Sequence, residues 1–172
     1  AFAGSIIFII GLNLIVELLD RTLRDAERTR RLTNMTVLGA FTGNQQLKYR
    51  GFIKACNRIS AAYTCNRLMQ YMKKGHTFHI NILSIEKKEG KSFVCQYLTE
   101  YWKEIGFNVK HLVAGKDFPI DASYLSSGEI SFYMGDNDRP DILLLEYPAI
   151  KDNSLPVNLL NKADINLLIA NA

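Results

Sequence analysis

The sequence is organised around residues 79–106, in which a short apolar run, a polar turn and an amphipathic stretch follow one another. The apolar run predicts a buried strand, and apolar residues spaced three and four apart predict a helix that ends near Gly106. Between them lies Gly90-Lys91-Ser92, and a strand, a Gly-Lys-Ser turn and a helix in this order are typical of a phosphate-binding loop. The strand residues are Ile80, Ile82 and Leu83, and the helix residues are Phe93, Val94, Tyr97, Leu98, Tyr101, Trp102 and Ile105.

The chemistry of phosphate binding explains these residue types. Backbone N–H groups at the start of a helix point towards one spot, where the helix dipole favours an anion. Gly90 lets the backbone approach the ligand, Lys91 can reach the outer phosphates of a nucleotide, and Ser92 supplies a hydroxyl for Mg²⁺. The nucleotide-binding candidates are Glu89, Gly90, Lys91, Ser92 and Phe93.

The match to the loop pattern is partial. The full pattern has a glycine five residues before Gly90, where this sequence has Ile85. Glu86 and Glu89 also place two carboxylates in the segment where phosphates would lie. Descent from a phosphate-binding loop is therefore a stronger prediction than retained nucleotide binding, and a solvated turn that contains Gly-Lys-Ser by coincidence is the alternative.

Three further apolar runs, at residues 109–113, 141–148 and 165–170, predict strands. Because these runs do not alternate with polar residues, the strands should be buried on both faces, in a parallel sheet covered by helices. The predicted fold class is α/β, an open, mostly parallel sheet with flanking helices that is similar to the P-loop NTPases. Residues 47–72 add an amphipathic helix, which either packs beside the sheet or serves self-association.

A carboxylate, Glu146, ends the third predicted strand. Ligands of open α/β sheets bind beyond the carboxyl ends of the strands, so Glu146 is expected near Lys91 and Ser92. Ser92 or a Mg²⁺ ion would compensate the charge of Glu146, which makes Ser92 and Glu146 the candidate magnesium ligands. Exposure of this carboxylate to solvent at the strand end is the alternative reading.

Composition limits the other classes of site. The chain has 172 residues, enough for one sizeable domain and an appendage, and its net charge is +4. Its three cysteines form no Cys-x-x-Cys pair, which fits reduced thiols in a cytosolic compartment. No metal-ligand spacing links the three histidines with each other or with the cysteines, so a zinc site is not expected. These residues are His76, His79, His111, Cys56, Cys65 and Cys95.

Residues 1–19 are almost wholly apolar and just short of the roughly 20 residues that span a membrane. The arginines that follow predict a cytoplasmic flank, so residues from about 20 onward should be cytoplasmic. The predicted domains are the C-terminal part of a transmembrane helix (1–19), a juxtamembrane helix and linker (20–46), and a P-loop-like α/β domain (47–172). A buried core helix at residues 1–19 is the alternative, and both ends are expected to continue in a longer protein.

The juxtamembrane charges alternate in a way that supports a solvated helix. Acidic residues precede arginines by four positions at Glu17/Arg21, Asp20/Arg24 and Glu27/Arg31, which is the favourable order on a helix. This arrangement accounts for most of the basic cluster, with attraction to anionic lipid as an addition. No nucleic-acid partner is expected. The apolar patch at residues 37–41 predicts a short strand or an anchor within the linker.

Two groups of residues match the motifs of a known family. They are Leu19-Asp20-Arg21-Thr22-Leu23-Arg24, Arg31-Leu32-Thr33 and Val37-Leu38-Gly39 in the first group, and Ile82-Leu83-Ser84 with Glu89-Gly90-Lys91-Ser92 in the second. With them, nearly the whole sequence resembles the cytoplasmic part of bacterial polysaccharide co-polymerases fused to a tyrosine autokinase domain. The juxtamembrane group is the more distinctive of the two.

The resemblance implies a function and roles for single residues. In that family, ATP and Mg²⁺ serve to phosphorylate a tyrosine of the C-terminal tail, subunits form rings, and the assembly regulates polymer length and export. By resemblance, Lys91 would contact phosphate, Ser92 would ligate Mg²⁺, and Glu146 stands where the family has an aspartate. Cofactors would be ATP and Mg²⁺, and partners would be the bacterial inner membrane, further copies of the chain and the polysaccharide polymerase or export machinery.

The sequence departs from the family where the chemistry is most demanding. The family's second strand ends in an Asp-x-Asp pair, and the aligned residues Val113-Ala114-Gly115 contain no acid. Asp117 follows two residues later and, with Glu146, is a weak candidate for the catalytic acid. The Glu-x-x-Arg-x-x-Arg helix for self-association keeps Arg50 alone, and Lys87-Lys88 replace the Pro-Gly that usually precedes the loop.

The leading expectation is a membrane-anchored subunit for capsular or exopolysaccharide chain-length control and export. Its tyrosine-kinase-like nucleotide-binding domain would be degenerate, with a structural or regulatory role. The alternative is an active ATP-dependent protein tyrosine autokinase that uses Glu146 and Asp117 as its acids. A partitioning-type ATPase ranks lower, because such proteins carry a lysine where this sequence has Glu86 and lack a spanning helix.

Overall fold

The computed structural model describes residues 6, 9–12, 14, 26–43, 49–121, 124, 139–153 and 155–171. The chain divides into two compact units, residues 1–37 with 172 and residues 38–171. The first contains helix α1 (Ala26–Thr33), on which Arg31 Nε lies 3.2 Å from Glu27 Oε1, as the predicted four-residue spacing requires. The other two predicted pairs, and most of residues 1–19, lie outside the described residues. Among the residues described, none of the helices has both the length and the apolarity to cross a membrane.

Four parallel strands form one sheet in the second unit. They are β1 (Phe78–Ser84), β2 (Val109–Val113), β3 (Ile142–Glu146) and β4 (Ile165–Ile169), in the spatial order β2-β3-β1-β4. Every pairing between neighbouring strands is parallel. The prediction of an open parallel α/β sheet is confirmed, and its physical basis is visible in β3, where all five residues are buried.

Among the described residues of this unit, three α-helices flank the sheet: α2 (Arg50–Met69), α3 (Lys91–Glu104) and α4 (Val157–Lys162). Helix α3 starts directly after Gly90, which has a φ of 84°, and ends just before Gly106, which has a φ of 98°. Both angles lie in the left-handed region that glycine adopts without strain. Helix α4 begins after Pro156. The sequence predicts Ser154 as the cap of this helix and a further, weaker helix over residues 122–134. Apart from Tyr124, these residues lie outside the described ones.

The strand order places α3 and α4 on opposite faces of the sheet. The crossover from β1 to β2 and the crossover from β3 to β4 run in opposite directions, and such crossovers are right-handed. The core accordingly consists of two separate apolar clusters. One lies between the sheet and helices α2 and α3, and the other lies around α4. The chain therefore leaves β1 and β3, which are neighbours, towards opposite faces. The crevice beyond their carboxyl ends is the position at which open α/β sheets bind ligands.

The segment at residues 37–41 is an anchor and not a strand. Leu38 and Phe41 pack against the cluster beneath α2 and α3, and no strand is formed at these residues. The buried side chain of Asn57 accepts a hydrogen bond from Thr42 N–H at 2.8 Å and donates one to Thr42 O at 2.9 Å. A Cβ atom at Gly39 would collide with the hydroxyl of Thr64, so the segment can lie against α2 because this position is glycine.

Candidate phosphate-binding site

The loop between β1 and α3 presents a helix N-terminus at the crevice. Lys88 and Gly90 both have positive φ angles, 63° and 84°, and bend the chain into the helix. The first hydrogen bond of α3 runs from Val94 N–H to Gly90 O at 3.0 Å. The N–H groups that precede this bond belong to Lys91, Ser92 and Phe93. Such groups have no partner within the helix and favour an anion.

Lys91 is folded back towards the end of β1. Its Nζ donates to Ser84 Oγ over 2.5 Å, and Ser84 Oγ donates in turn to Glu86 O at 2.8 Å. Ser84 is completely buried, so it holds the ammonium group beside the loop. This role of Ser84 could not be predicted from the sequence, because a serine at the end of an apolar strand has no distinctive spacing.

Ser92 and Glu146 are in direct contact. Ser92 Oγ donates to Glu146 Oε1 at 2.8 Å, across the carboxyl ends of the neighbouring strands β1 and β3. Adjacent oxygen ligands of an octahedral Mg²⁺ are about 2.9 Å apart, given metal–oxygen distances of about 2.0–2.1 Å. The two oxygens therefore fit one edge of a magnesium coordination shell.

Glu146 is buried to 6% exposure and ionised. Burial by itself would raise the pKa of Glu146, but its hydrogen bonds with His111 and Ser92 hold the pKa below the ordinary value. The His111 contact joins Nε2 to Glu146 Oε2 over 3.2 Å, and the positive charge of Lys91 acts in the same direction. The end of β3 thus carries a fixed negative charge that can bind a cation.

A cysteine, a histidine and a carboxylate come together at this edge of the sheet, although the spacing along the chain does not predict a zinc site. The Cys95 sulfur, a ring nitrogen of His111 and a carboxylate oxygen of Glu146 all lie within 4.8 Å of one another. These residues are far apart in sequence and come together because β2 pairs with β3, with Val113 opposite Glu146. Spacing along the chain could not reveal the group, since the register of two strands creates it.

The loop's two carboxylates have different surroundings. Glu89 Oε2 turns back to accept a hydrogen bond from Glu86 N–H at 2.9 Å. Glu86 Oε1 instead accepts from Lys151 Nζ at 2.7 Å, and Lys87 Nζ lies 3.1 Å from Asp152 Oδ2. The loop is therefore attached to the short 3₁₀ helix Ile150–Asp152, and one of its backbone donors is already bound to an anionic side chain.

Neutralising Glu89 should strengthen nucleotide binding. Glu89→Gln keeps an acceptor for Glu86 N–H but removes a charge that repels phosphate. Two like charges about 4 Å apart in water repel by about 1 kcal/mol, so we expect roughly a fivefold gain in affinity for Mg-ATP. Calorimetric titration of the unmodified protein and of Glu89→Gln with Mg-ATP measures this difference in affinity. Glu100→Gln, at an exposed position of α3 remote from the loop, is the control and should leave the affinity unchanged. An unchanged or lower affinity in Glu89→Gln would contradict the repulsion.

The end of β2 brings no carboxylate to this group. Asp117 Oδ2 accepts a hydrogen bond from Val113 N–H at 2.7 Å, and Asp117 N–H donates to Val113 O at 2.8 Å. The side chain of Asp117 thus closes its own loop, and no contact with Lys91, Ser92 or Glu146 is found within the described part of the chain.

Phe93, the last residue of the predicted nucleotide-binding group, turns its ring away from the loop. The ring packs edge-on against Tyr97, with centroids 5.1 Å apart, and belongs to the cluster beneath α3. Only the backbone N–H of Phe93 is therefore available to a phosphate. The side chains that can act on a ligand here are those of Lys91, Ser92 and Glu146.

Comparison with known proteins identifies the fold. No protein-family model and no curated protein sequence matches the chain. Among solved structures, the chain is similar to the kinase domain of the Escherichia coli tyrosine kinase ETK, with a TM-score of 0.60 and 12% identity, over 87% of this chain and 82% of that domain. It is also similar to the BceF tyrosine kinase domain, with a TM-score of 0.48 and 13% identity, over 74% of this chain and 77% of that domain. The likeness to the ETK kinase domain shows that the chain has a similar fold, an open parallel sheet with flanking helices.

Proposed function

We propose that the chain is a membrane-anchored subunit for capsular or exopolysaccharide chain-length control and export. Its tyrosine-kinase-like domain binds ATP with Mg²⁺ in a regulatory role and does not transfer phosphate. One observation carries the nucleotide role: an ionised Glu146 is bonded to Ser92, while Asp117, the acid that follows β2 among the described residues, is bonded to its own loop. Within the described part of the chain, the groups that could bind a nucleotide are present, and a second acidic group beside them is not found.

The residues of the loop fit a nucleotide in complex with magnesium. Lys91 would leave Ser84 to contact the outer phosphates, while the first N–H groups of α3 would hold them against the helix dipole. Ser92 and Glu146 would supply two oxygens to Mg²⁺, which neutralises the charge of the phosphates when it is bound. Glu89 would have to yield its place on the loop backbone, which weakens binding without preventing it.

Phosphoryl transfer needs more than these groups. Positioning and electrostatic stabilisation supply most of its catalysis, and a residue must accept the proton of the attacking hydroxyl. At the end of β2, Val113-Ala114-Gly115 offer no side chain for either task. The loss of a base and a metal ligand costs several kcal/mol of barrier, and each 1.4 kcal/mol is about a tenfold loss of rate. A binding domain that signals its nucleotide state is therefore favoured over a kinase.

Membrane anchoring is supported by the apolar run at residues 1–19 and the arginines that follow it. With the family resemblance, they favour the bacterial inner membrane, a cytoplasmic domain from about residue 20 onward, self-assembly, and contact with the polysaccharide polymerase or export machinery. Flotation of the full-length protein with phospholipid vesicles tests the anchor. We expect the protein to rise with the vesicles even after a wash in high salt, and a protein that stays in the dense fraction would refute the anchor.

The nucleotide role is tested with full-length protein in detergent. We expect saturable binding of Mg-ATP by calorimetry and no phosphotyrosine after incubation with ATP labelled at the γ-phosphate. Labelled phosphotyrosine that disappears in Lys91→Ala would instead establish the autokinase. A folded protein that binds no nucleotide at millimolar concentration would refute the binding role and leave only an assembly role for the domain.

A further inference from the structure

Cys95 and His111 have no part in the proposed nucleotide role, but they lie in one cluster with Glu146, which that role does use. The three residues sit on three different elements, near the start of α3, within β2 and at the end of β3. These elements are held together by the sheet register and by the apolar cluster that contains Cys95, so the positions of the three side chains are well defined. We propose that Cys95, His111 and Glu146 form a zinc site beneath the N-terminus of α3.

The geometry is close to that of a bound zinc ion. Zinc lies about 2.3 Å from sulfur and about 2.0–2.2 Å from nitrogen or oxygen, so its tetrahedral ligand atoms are roughly 3.3–3.7 Å apart. His111 Nε2 and Glu146 Oε2 are already separated by 3.2 Å, and no pair among the three ligand atoms exceeds 4.8 Å. Closing the site therefore requires side-chain shifts of about 1 Å, which rotation about the side-chain bonds can provide.

The donor set selects a transition metal over magnesium. A thiolate and an imidazole are ligands for zinc, whereas Mg²⁺ takes oxygen ligands almost without exception. The negative charges of the Cys95 thiolate and the Glu146 carboxylate together balance a divalent cation. Burial raises the pKa of Cys95 to about 12, so the thiol carries its proton in the absence of metal and releases it to solvent on binding.

The site also has an entrance and an open position. The side chain of His111 is 24% exposed, and Ser92, which is bonded to the same carboxylate, is exposed at the rim of the crevice. Three protein ligands with one free position are the pattern of zinc sites that exchange a water or another ligand. Ser92, which is bonded to Glu146 Oε1, connects this cluster to the loop that we propose to hold a nucleotide.

A comparison with Cys65 shows that burial alone does not make such a site. Cys65 belongs to the same apolar cluster and is equally buried, but its sulfur contacts the backbone oxygen of Leu98 at 3.8 Å. It has the ordinary surroundings of a core cysteine. Cys65 is therefore the matched control for Cys95, because both substitutions to alanine remove one buried sulfur from the same core.

Titration with Co²⁺ and Zn²⁺, without nucleotide, tests the site in the full-length protein. We expect one Co²⁺ per chain with a thiolate-to-cobalt charge-transfer band and intense visible bands, all displaced by Zn²⁺. Cys95→Ala should lose the charge-transfer band, while Cys65→Ala and Cys56→Ala should keep it. His111→Ala should keep a folded domain and lower zinc affinity more than about 100-fold, since even outer partners of metal ligands contribute 10–100-fold.

Either of two results would overturn the proposal: no charge-transfer band in the unmodified protein, or a band that survives in Cys95→Ala. Circular dichroism of each variant shows whether it is folded, and the His111→Ala result stands if Cys95→Ala does not fold. The outcome is independent of the proposed nucleotide role, because no nucleotide is added. A protein that binds zinc but not Mg-ATP would refute the nucleotide role alone.

Discussion

Lys91→Ala is expected to lower the affinity for Mg-ATP by about 30- to 700-fold. Lys91 is the cation that can leave Ser84 for the phosphates, and the loss of one partner from a desolvated charge pair costs about 2–4 kcal/mol. Calorimetric titration of the full-length protein with Mg-ATP measures the change. The fold should persist, because α3 begins at this residue and alanine is a good helix former.

The matched control for this prediction is Lys103→Ala, in the last turn of the same helix. Lys103 is exposed and carries the same charge at the opposite end of α3, so its loss should leave nucleotide affinity within about twofold. Equal losses in the two variants would mean that general positive charge attracts ATP. Unchanged affinity in Lys91→Ala would show that the loop is not the binding site.

Trp102→Ala is expected to be the most destabilising single change in the described core. Trp102 is fully buried among residues of α2, α3 and the sheet, and truncation of a buried tryptophan costs about 3–5 kcal/mol. This loss is a large share of the roughly 5–15 kcal/mol by which domains are stable. For a chain of this size it corresponds to a fall in melting temperature of roughly 6–20 °C. Thermal unfolding followed by circular dichroism measures it.

Two further variants serve as comparisons for Trp102→Ala. Trp102→Phe should cost clearly less than alanine, because it keeps an aromatic ring and removes an indole N–H that has no hydrogen-bond partner within the described chain. Tyr71→Ala removes an exposed aromatic ring and should shift stability by less than about 0.5 kcal/mol. A loss below about 1 kcal/mol in Trp102→Ala would contradict the role of this side chain in the core.

The parts of the fold that could be predicted are those that depend on a local sequence pattern. Unbroken apolar runs mark strands that are buried on both faces, and the run at residues 141–148 contains β3 (Ile142–Glu146). Gly106 marks the end of α3 because it adopts a positive φ angle there. The strand order could not be predicted in the same way, since the insertion of β3 between β1 and β2 depends on packing between distant residues.

The candidate site also contains some features that could be predicted from the sequence and some that could not. The nearness of Ser92 and Glu146 followed from the rule that strand ends share one edge of the sheet. The positions of His111 and Cys95 beside Glu146 could not be predicted. A histidine within a strand and a cysteine on the apolar side of a helix do not show in the sequence which residue they contact. Asp117 shows the converse case: its position suggested an active-site acid, and its hydrogen bond with Val113 N–H serves the turn instead.

The single tryptophan of the sequence gives the folded unit one indole fluorophore, enclosed in the core near the end of α3. Its emission should be blue-shifted in the native protein and should report on that core alone, undiluted by other indoles. Lys91 lies eleven residues earlier on the same helix, about 16 Å away along its axis. A phosphate bound at the loop lies too far from the indole to contact it, so a change in emission on binding would indicate that the packing around α3 has changed.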